Sequence, residues 1–133
     1  MILIYCVDKR YGLLFNNRRQ SRDRLLIERI MSFANGKMFI NEFSKKLFDG
    51  YCVTVSDDFL EIAKDGEYCF VENADADIRK AEKVILYKWN RHYPSDKKFS
   101  FDLNKEGFAL VSTDEFKGSS HDKITEEVYV KGV

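Results

Sequence analysis

Residues 2–7 are Ile-Leu-Ile-Tyr-Cys-Val, a nearly unbroken apolar run. Such a run indicates a strand that is buried on both faces, as the strands of parallel sheets are. After a polar loop, apolar residues recur at helical spacing over residues 26–34, and Gly36 follows where a helix usually ends. Ser21 is the expected N-cap of this helix, with Asp23 in its first turn. The chain therefore begins as a βαβ-type unit.

The last third of the chain has a different pattern. Strands are expected at residues 84–89, 108–112 and 125–130, with no long helix between them. Consecutive strands that are joined by turns tend to pair antiparallel. We therefore predict an α/β fold with a mixed, mostly parallel central sheet, flanking helices and an antiparallel C-terminal part. Between the two ends we expect strands at 38–40, 51–55 and 68–71, and short helices after Asn41, after Ser56 and over 75–81.

The length and charge of the chain set limits on its partners. Its 133 residues suit one domain over residues 1–133. The 22 basic residues balance 22 acidic ones, so the net charge favours neither a nucleic-acid nor a membrane partner. Cys6, Cys52 and Cys69 lie in separate β-like runs, which is typical of small buried hydrophobes rather than of a disulfide framework. With no signal peptide or transmembrane run, we expect a cytoplasmic monomer or weak dimer that does not bind membranes.

The order of these elements, together with residues near both ends, resembles dihydrofolate reductase. Near the start, Gly12 and the pair Asn16-Asn17 are similar to the loop after the family's first strand, and the spacing to Gly36 matches a bacterial reductase without a gap. Farther along, residues 81–87 (AEKVILY) resemble the family's ADELYLT strand, and residues 108–116 (FALVSTDEF) resemble its WELVSSEEF strand. The resemblance implies a bacterial protein with a dihydrofolate reductase-like fold.

The departures from the family's pattern bear directly on activity. Leu26 falls where the family has its pterin-binding carboxylate, and an apolar side chain cannot hydrogen-bond a pterin ring. Residues 41–44 (Asn-Glu-Phe-Ser) replace Gly-Arg-x-Thr, in which the Arg and Thr hold a cofactor phosphate. Glu72 and Asn73 replace the Gly-Gly pair that the cofactor's pyrophosphate approaches, and a carboxylate repels a phosphate. We therefore expect a protein that is not a reductase and that binds no cofactor.

The loop from Asn16 to Arg24 is the densest candidate site, because it carries four arginines at the predicted start of a helix. Guanidinium groups match the geometry of phosphates and carboxylates, and a helix N-terminus adds free amide hydrogens. The alternative without a ligand is a solvated basic loop. The functional interpretation is a binding site for a small anionic ligand or nucleic acid, a nucleotide or nucleic-acid phosphate being the preferred ligand. The expected ligand-binding residues are Asn16, Arg18, Arg19, Gln20, Ser21 and Arg22.

Two other classes of function stay open. In the first, the remodelled cleft is an enzyme site, for example for phosphodiester cleavage. Arg18 or Arg19 would then stabilise charge, and Asp23, Glu72 or His121 would act as the acid or base. In the second, the chain is a protein-interaction module with a vestigial cleft.

Two further segments carry suggestive residues. Residues 118–122 (Gly-Ser-Ser-His-Asp) contain the residue types of a nucleophile set, but adjacent residues rarely converge on one atom, so a surface turn is favoured. Residues 89–93 (Trp-Asn-Arg-His-Tyr) are expected to be a strand end with aromatic packing rather than a base-stacking surface. No metal site is expected, because there are two histidines and no Cys-x-x-Cys or His-x-x-x-His.

Overall fold

The structure, a computed structural model, describes residues 1–132. Its elements form one large sheet, one small sheet and short helices beside them. The strands are β1 (Ile2–Val7), β2 (Gly12–Phe15), β3 (Arg18–Arg19), β4 (Met38–Ile40), β5 (Thr54–Val55), β6 (Tyr68–Phe70), β7 (Lys83–Lys88), β8 (Lys97–Lys98), β9 (Phe108–Phe116) and β10 (Ile124–Lys131). The helices are α1 (Arg24–Ala34), α2 (Phe59–Ile62) and the 3-10 helices Glu42–Phe48 and Ile78–Lys80.

The large sheet has seven strands in the order β5-β4-β6-β1-β7-β10-β9. The apolar strand β1 lies at its centre and runs parallel to both neighbours, with Ile4 opposite Phe70 of β6 and Ile85 of β7. Strand β10 is antiparallel to β7 on one side and to β9 on the other. The predicted fold class is therefore confirmed: the sheet is mixed and mostly parallel, and its antiparallel part is C-terminal.

Strand β1 separates two apolar cores, because its alternate side chains point to opposite faces of the sheet. On one face Leu3 and Val7 belong to a buried cluster that includes Phe59 of α2. On the other face Ile4 packs in a second cluster with Ile30 of α1. Packing against this second face places the start of α1 beside the carboxyl ends of β1 and β6, where ligands of open α/β sheets usually bind.

The segment that follows β1 forms the hairpin of β2 and β3, and the distant strand β8 joins it in a small sheet of the order β3-β2-β8, which was not predicted. Asn16 and Asn17 connect β2 to β3 with φ angles of 51° and 57°. Two consecutive residues with positive φ form the type I′ hairpin turn, and asparagine tolerates this conformation better than most residues do. The hairpin brings Arg19 back toward the sheet, so the predicted basic loop is an ordered connection between β2 and α1.

Four local predictions were wrong in detail. The N-cap of α1 is Asp23, not Ser21, because the carboxylate of Asp23 accepts a hydrogen bond from the amide of Leu26 at 3.2 Å. The predicted strand 51–55 is paired only over Thr54–Val55, and Cys52 is exposed rather than buried, because a turn after Phe48 occupies the preceding residues. The predicted helix 75–81 is reduced to one 3-10 turn, which Asp77 caps through the amide of Arg79.

No helix within residues 1–132 combines the length and the apolar character needed to cross a membrane.

Candidate functional site

The candidate site is a cleft between the carboxyl ends of β1 and β6 and the segment that leads into α1. Side chains nearly fill it, and the remaining space is about 20 Å³. Leu26, which the resemblance aligns with the pterin-binding carboxylate, lines this cleft and is fully buried. Small-molecule sites usually offer several hundred Å³. In this conformation the inner cleft can admit a group of about the size of one water molecule, but no ring system.

An ion pair between Arg19 and Glu72 closes one wall of the cleft. The Arg19 guanidinium donates to both carboxylate oxygens, with Nε–Oε2 and Nη2–Oε1 distances of 2.9 and 2.8 Å. Ser44 donates a further hydrogen bond of 2.8 Å to Oε1 of Glu72. The hydrogen bonds with Glu72 raise the pKa of Arg19 against the opposing effect of burial. The charge of Arg19 is therefore already neutralised by a protein carboxylate, which the sequence had not indicated.

A second polar cluster surrounds the carboxylate of Asp23, which is buried at the N-terminus of α1. This carboxylate accepts hydrogen bonds of 2.9 Å each from the amides of Ser119 and Ser120, in addition to the capping bond from the amide of Leu26. Nδ1 of His121 lies 2.9 Å from Oδ2 of the same carboxylate. Burial acts to raise the pKa of Asp23, but the hydrogen bonds from His121 and the three amides outweigh it and hold the pKa well below its usual range.

His121 is held rigidly in this cluster. Its ring is buried and stacks on Trp89 with the centroids 4.5 Å apart. Its other nitrogen, Nε2, lies 3.0 Å from the hydroxyl of Ser21 and 3.3 Å from that of Tyr93. Segment 118–122 is thus a turn, as expected, but its histidine points inward. Of the weak catalytic candidates, the structure brings Asp23 and His121 together and places Glu72 apart from them, in the pair with Arg19.

A wider groove opens on the outer side of the same segment. Its volume is about 520 Å³, which lies in the range of ligand sites. The exposed side chains of Arg22 and Lys46 line it and make no ion pair with another residue of the described chain. Arg24 also lines the groove and pairs with Glu28 at 3.0 Å. Asp49 is the exposed acidic residue of this groove.

The other predicted ligand residues lie at different depths. Arg18 is exposed on β3, and Asn16 is exposed in the hairpin turn. Gln20 donates to a carboxylate oxygen of Asp8 at 3.4 Å and to the carbonyl of Pro94 at 3.2 Å, and its own buried side-chain oxygen has no partner within residues 1–132. Gln20 lines the inner cleft, whereas Asn16 and Arg18 line neither the cleft nor the groove, so the predicted ligand residues do not meet at one point.

The described residues support neither a metal site nor a reactive cysteine. Within residues 1–132, histidine, cysteine and acidic side chains form no cluster of three that could hold a metal ion. Cys6 lines the inner cleft, but burial raises the pKa of its thiol well above the ordinary value. A thiol with a raised pKa is mostly protonated at neutral pH and is a poor nucleophile.

Comparison with known proteins supports the fold. No protein-family model matches the sequence, and no curated protein matches it either. Among solved structures, the chain is similar to dihydrofolate reductase from Enterococcus faecalis, in a structure described as complexed with NADP(H) and RAB-propyl. The TM-score is 0.66 over 99% of this chain and 96% of that chain, at a sequence identity of 9%. The chain therefore has a divergent dihydrofolate reductase-like fold.

Proposed function

We propose that this chain is not a reductase and that it binds a phosphate-bearing ligand, such as a nucleotide or a nucleic-acid phosphate, in the groove beside residues 18–24. The observation that carries the proposal is the pair of exposed cations, Arg22 and Lys46, that line a groove of about 520 Å³ without acidic partners in residues 1–132. Because the chain as a whole has no net charge, any attraction of an anion to this groove must come from these local cations.

Three features argue against reductase activity. Leu26 is buried in the cleft and offers no group to bind or protonate a pterin. Side chains fill the inner cleft so that only about 20 Å³ of space remains. The Arg19–Glu72 pair places a carboxylate where the family has the paired glycines that its cofactor approaches. Each feature removes a different requirement of the reaction: the proton source, the space and the cofactor contact.

The groove suits a phosphate in both charge and hydrogen bonding. Arg22 and Lys46 both offer donors to the groove, and the exposed residues Ser119 and Ser120 border it. Charge-assisted hydrogen bonds to an anion contribute about 1.5–3 kcal/mol each. Tyr51 also lines the groove and is 36% exposed, so its ring is available to stack on a base.

The test is a binding measurement with ATP and with a short single-stranded oligonucleotide at low salt. We expect both probes to raise the melting temperature, and the variant Arg22→Ala/Lys46→Ala to weaken binding by about tenfold or more, as the loss of one charge-assisted hydrogen bond implies. The matched control is Lys64→Ala/Lys105→Ala, which removes two exposed cations that do not line the groove. Binding should also weaken as salt is added.

Two results would overturn the proposal. If neither probe binds at low salt, the cations are solvated and a protein-interaction module becomes the better account. If the groove variant and the control variant bind equally well, the phosphate lies elsewhere. A variant of Arg18 belongs in the same series, because the predicted site includes it and its side chain is exposed.

A further inference from the structure

We propose that Ser21, His121 and Asp23 form a nucleophilic site that hydrolyses esters of small carboxylic acids. Oγ of Ser21 lies 3.0 Å from Nε2 of His121, and Nδ1 of the same ring lies 2.9 Å from Oδ2 of Asp23. Nucleophile, base and orienting carboxylate thus follow one another in hydrogen-bond contact, which is the geometry by which such triads are recognised on unrelated folds. The inference does not depend on the phosphate groove.

The surroundings determine which nitrogen of His121 acts as the base. Asp23 is an acceptor only, so the imidazole must carry its proton on Nδ1 to make the 2.9 Å contact. In the neutral ring, Nε2 is then an acceptor, and the hydroxyl of Ser21 donates to it. The stacking of the ring on Trp89 and the amide bonds to Asp23 fix both groups in place. The base therefore needs no rearrangement before it accepts the proton of Ser21.

Helix capping alone does not account for this arrangement. An N-cap requires only the bond from Asp23 to the amide of Leu26, which is present. Ser119 and Ser120 contact the carboxylate itself, and neither makes a hydrogen bond with Nε2. Ser21 is the nearer of the two hydroxyls on that nitrogen, because the phenol of Tyr93 is at 3.3 Å. Ser21 is also half-buried at the wall of the cleft, where a substrate carbon can reach its oxygen.

The cleft restricts the acyl group to a small one. The space in the cleft that Ser21 lines is about 20 Å³, and its walls combine apolar side chains such as Leu26 and Trp89 with the ion pair of Arg19 and Glu72. This space matches one water-sized group, such as the methyl of an acetyl group. The backbone amides of Ser21 and Arg22 donate to no acceptor in the described chain, and both residues line the cleft. The proposal assigns these two amides to the developing oxyanion. The preferred substrate class is therefore an acetyl or formyl ester.

The reaction balances without any added oxidant, reductant or metal. Oγ of Ser21 attacks the acyl carbon while its proton passes to Nε2 of His121. The bond from the acyl carbon to the alcohol oxygen then breaks, and the alcohol leaves with the proton from Nε2. Water attacks the acyl-serine in the same way, giving its proton to Nε2, and the carboxylic acid departs as Ser21 regains a proton. Asp23 is a positioning residue, because it acts only through the imidazole.

The test combines covalent labelling with hydrolysis of p-nitrophenyl acetate by the full chain. After an acid quench during turnover of p-nitrophenyl acetate, mass spectrometry should show one added acetyl group, and peptide mapping should place it on Ser21. Ser21→Ala should lose both labelling and enzymatic hydrolysis. The matched control is Ser112→Ala, which removes an exposed hydroxyl of β9 that lines neither the cleft nor the groove, and which should retain labelling to within about twofold.

Asp23→Asn separates positioning from simple structural support. In this variant no carboxylate holds the proton of His121 on Nδ1, so Nε2 is no longer kept free to act as the base. We expect kcat to fall by about 10⁴-fold and KM for the ester to stay nearly unchanged. A purely structural role would lower the melting temperature and leave the activity of the remaining folded protein intact. Labelling on any residue other than Ser21, or equal hydrolysis by Ser21→Ala and the unaltered chain, would overturn the inference. Phosphate binding in the groove is measured separately, so either proposal can fail alone.

Discussion

Replacing Arg19 by alanine should destabilise this protein far more than replacing its exposed neighbour Arg18. The side chain of Arg19 is 25% exposed and that of Glu72 is 10% exposed, so the pair is largely shielded from water. Removing one partner of a buried ion pair typically costs about 3–5 kcal/mol. Ser44 still donates to the orphaned carboxylate at 2.8 Å, which places the expected loss near the lower limit, at about 3 kcal/mol.

The assay is equilibrium unfolding in urea. If the free energy of unfolding falls by about 2 kcal/mol per molar urea, the unfolding midpoint of Arg19→Ala should lie about 1.5 M below that of the unaltered chain. Arg18→Ala should change the free energy of unfolding by no more than about 0.5 kcal/mol, as exposed substitutions do. The double variant Arg19→Met/Glu72→Gln, which removes both charges, should recover at least half of the loss. The reasoning is refuted if Arg19→Ala shifts the midpoint no more than Arg18→Ala, or if the double variant is less stable than Arg19→Ala.

The remaining predictions concern acid stability, packing and catalysis. The pKa of Asp23 is lower in the folded state than in the unfolded state, so ionised Asp23 stabilises the fold fully above about pH 5, and this stabilisation is lost as the pH falls toward the folded-state pKa. The loss of stability on acidification should be smaller in Asp23→Asn. Urea midpoints measured between about pH 6 and pH 3 would reveal the difference. Gly118→Ala would force Cβ against Oδ2 of Asp23, so we expect the free energy of unfolding to fall by about 1–3 kcal/mol. Gly36→Ala, whose Cβ would meet no atom within 4 Å but whose φ is +78°, tests backbone strain alone. Purified protein should not oxidise NADPH with dihydrofolate above background, because Leu26 supplies no carboxylate; turnover comparable to that of a reductase would disprove the proposed loss of this activity.

The sequence was most informative about the centre of the sheet. The apolar run of β1 and the strand that became β7 are buried, and their composition alone indicates this. The short strands β3, β5 and β8 have two residues each, which is too few to show any periodicity. Their pairing is determined by the neighbouring strand and by turns, so it could not be derived from local composition.

The candidate site was only partly accessible to sequence reasoning. Asp23 and His121 were each identified as possible acid or base groups, and Ser21 as a ligand residue, but nothing in the sequence indicated that they meet. Asp23 and His121 are 98 positions apart, and their contact depends on how the turn after β9 packs on the start of α1. Glu72 was expected to repel a phosphate, whereas it pairs with Arg19, a partner 53 positions away. Long-range contacts of this kind are set by the assembled fold rather than by local pattern.

The position of β10 between β7 and β9 determines when this site can come into existence. Protein synthesis delivers β1, α1 and β7 first, and folding proceeds from the N-terminal part as the chain emerges. Strand β10 follows the turn that carries His121, and it is inserted between strands rather than added at an edge. Until it arrives, the carboxylate of Asp23 lacks the imidazole and two of its amide donors, and β7 has an open side. A nascent chain that lacks β10 therefore already contains Ser21 and His121, but the turn that carries His121 is not yet held against the start of α1. The proposed chemistry at Ser21 can begin only when β10 has paired with β7.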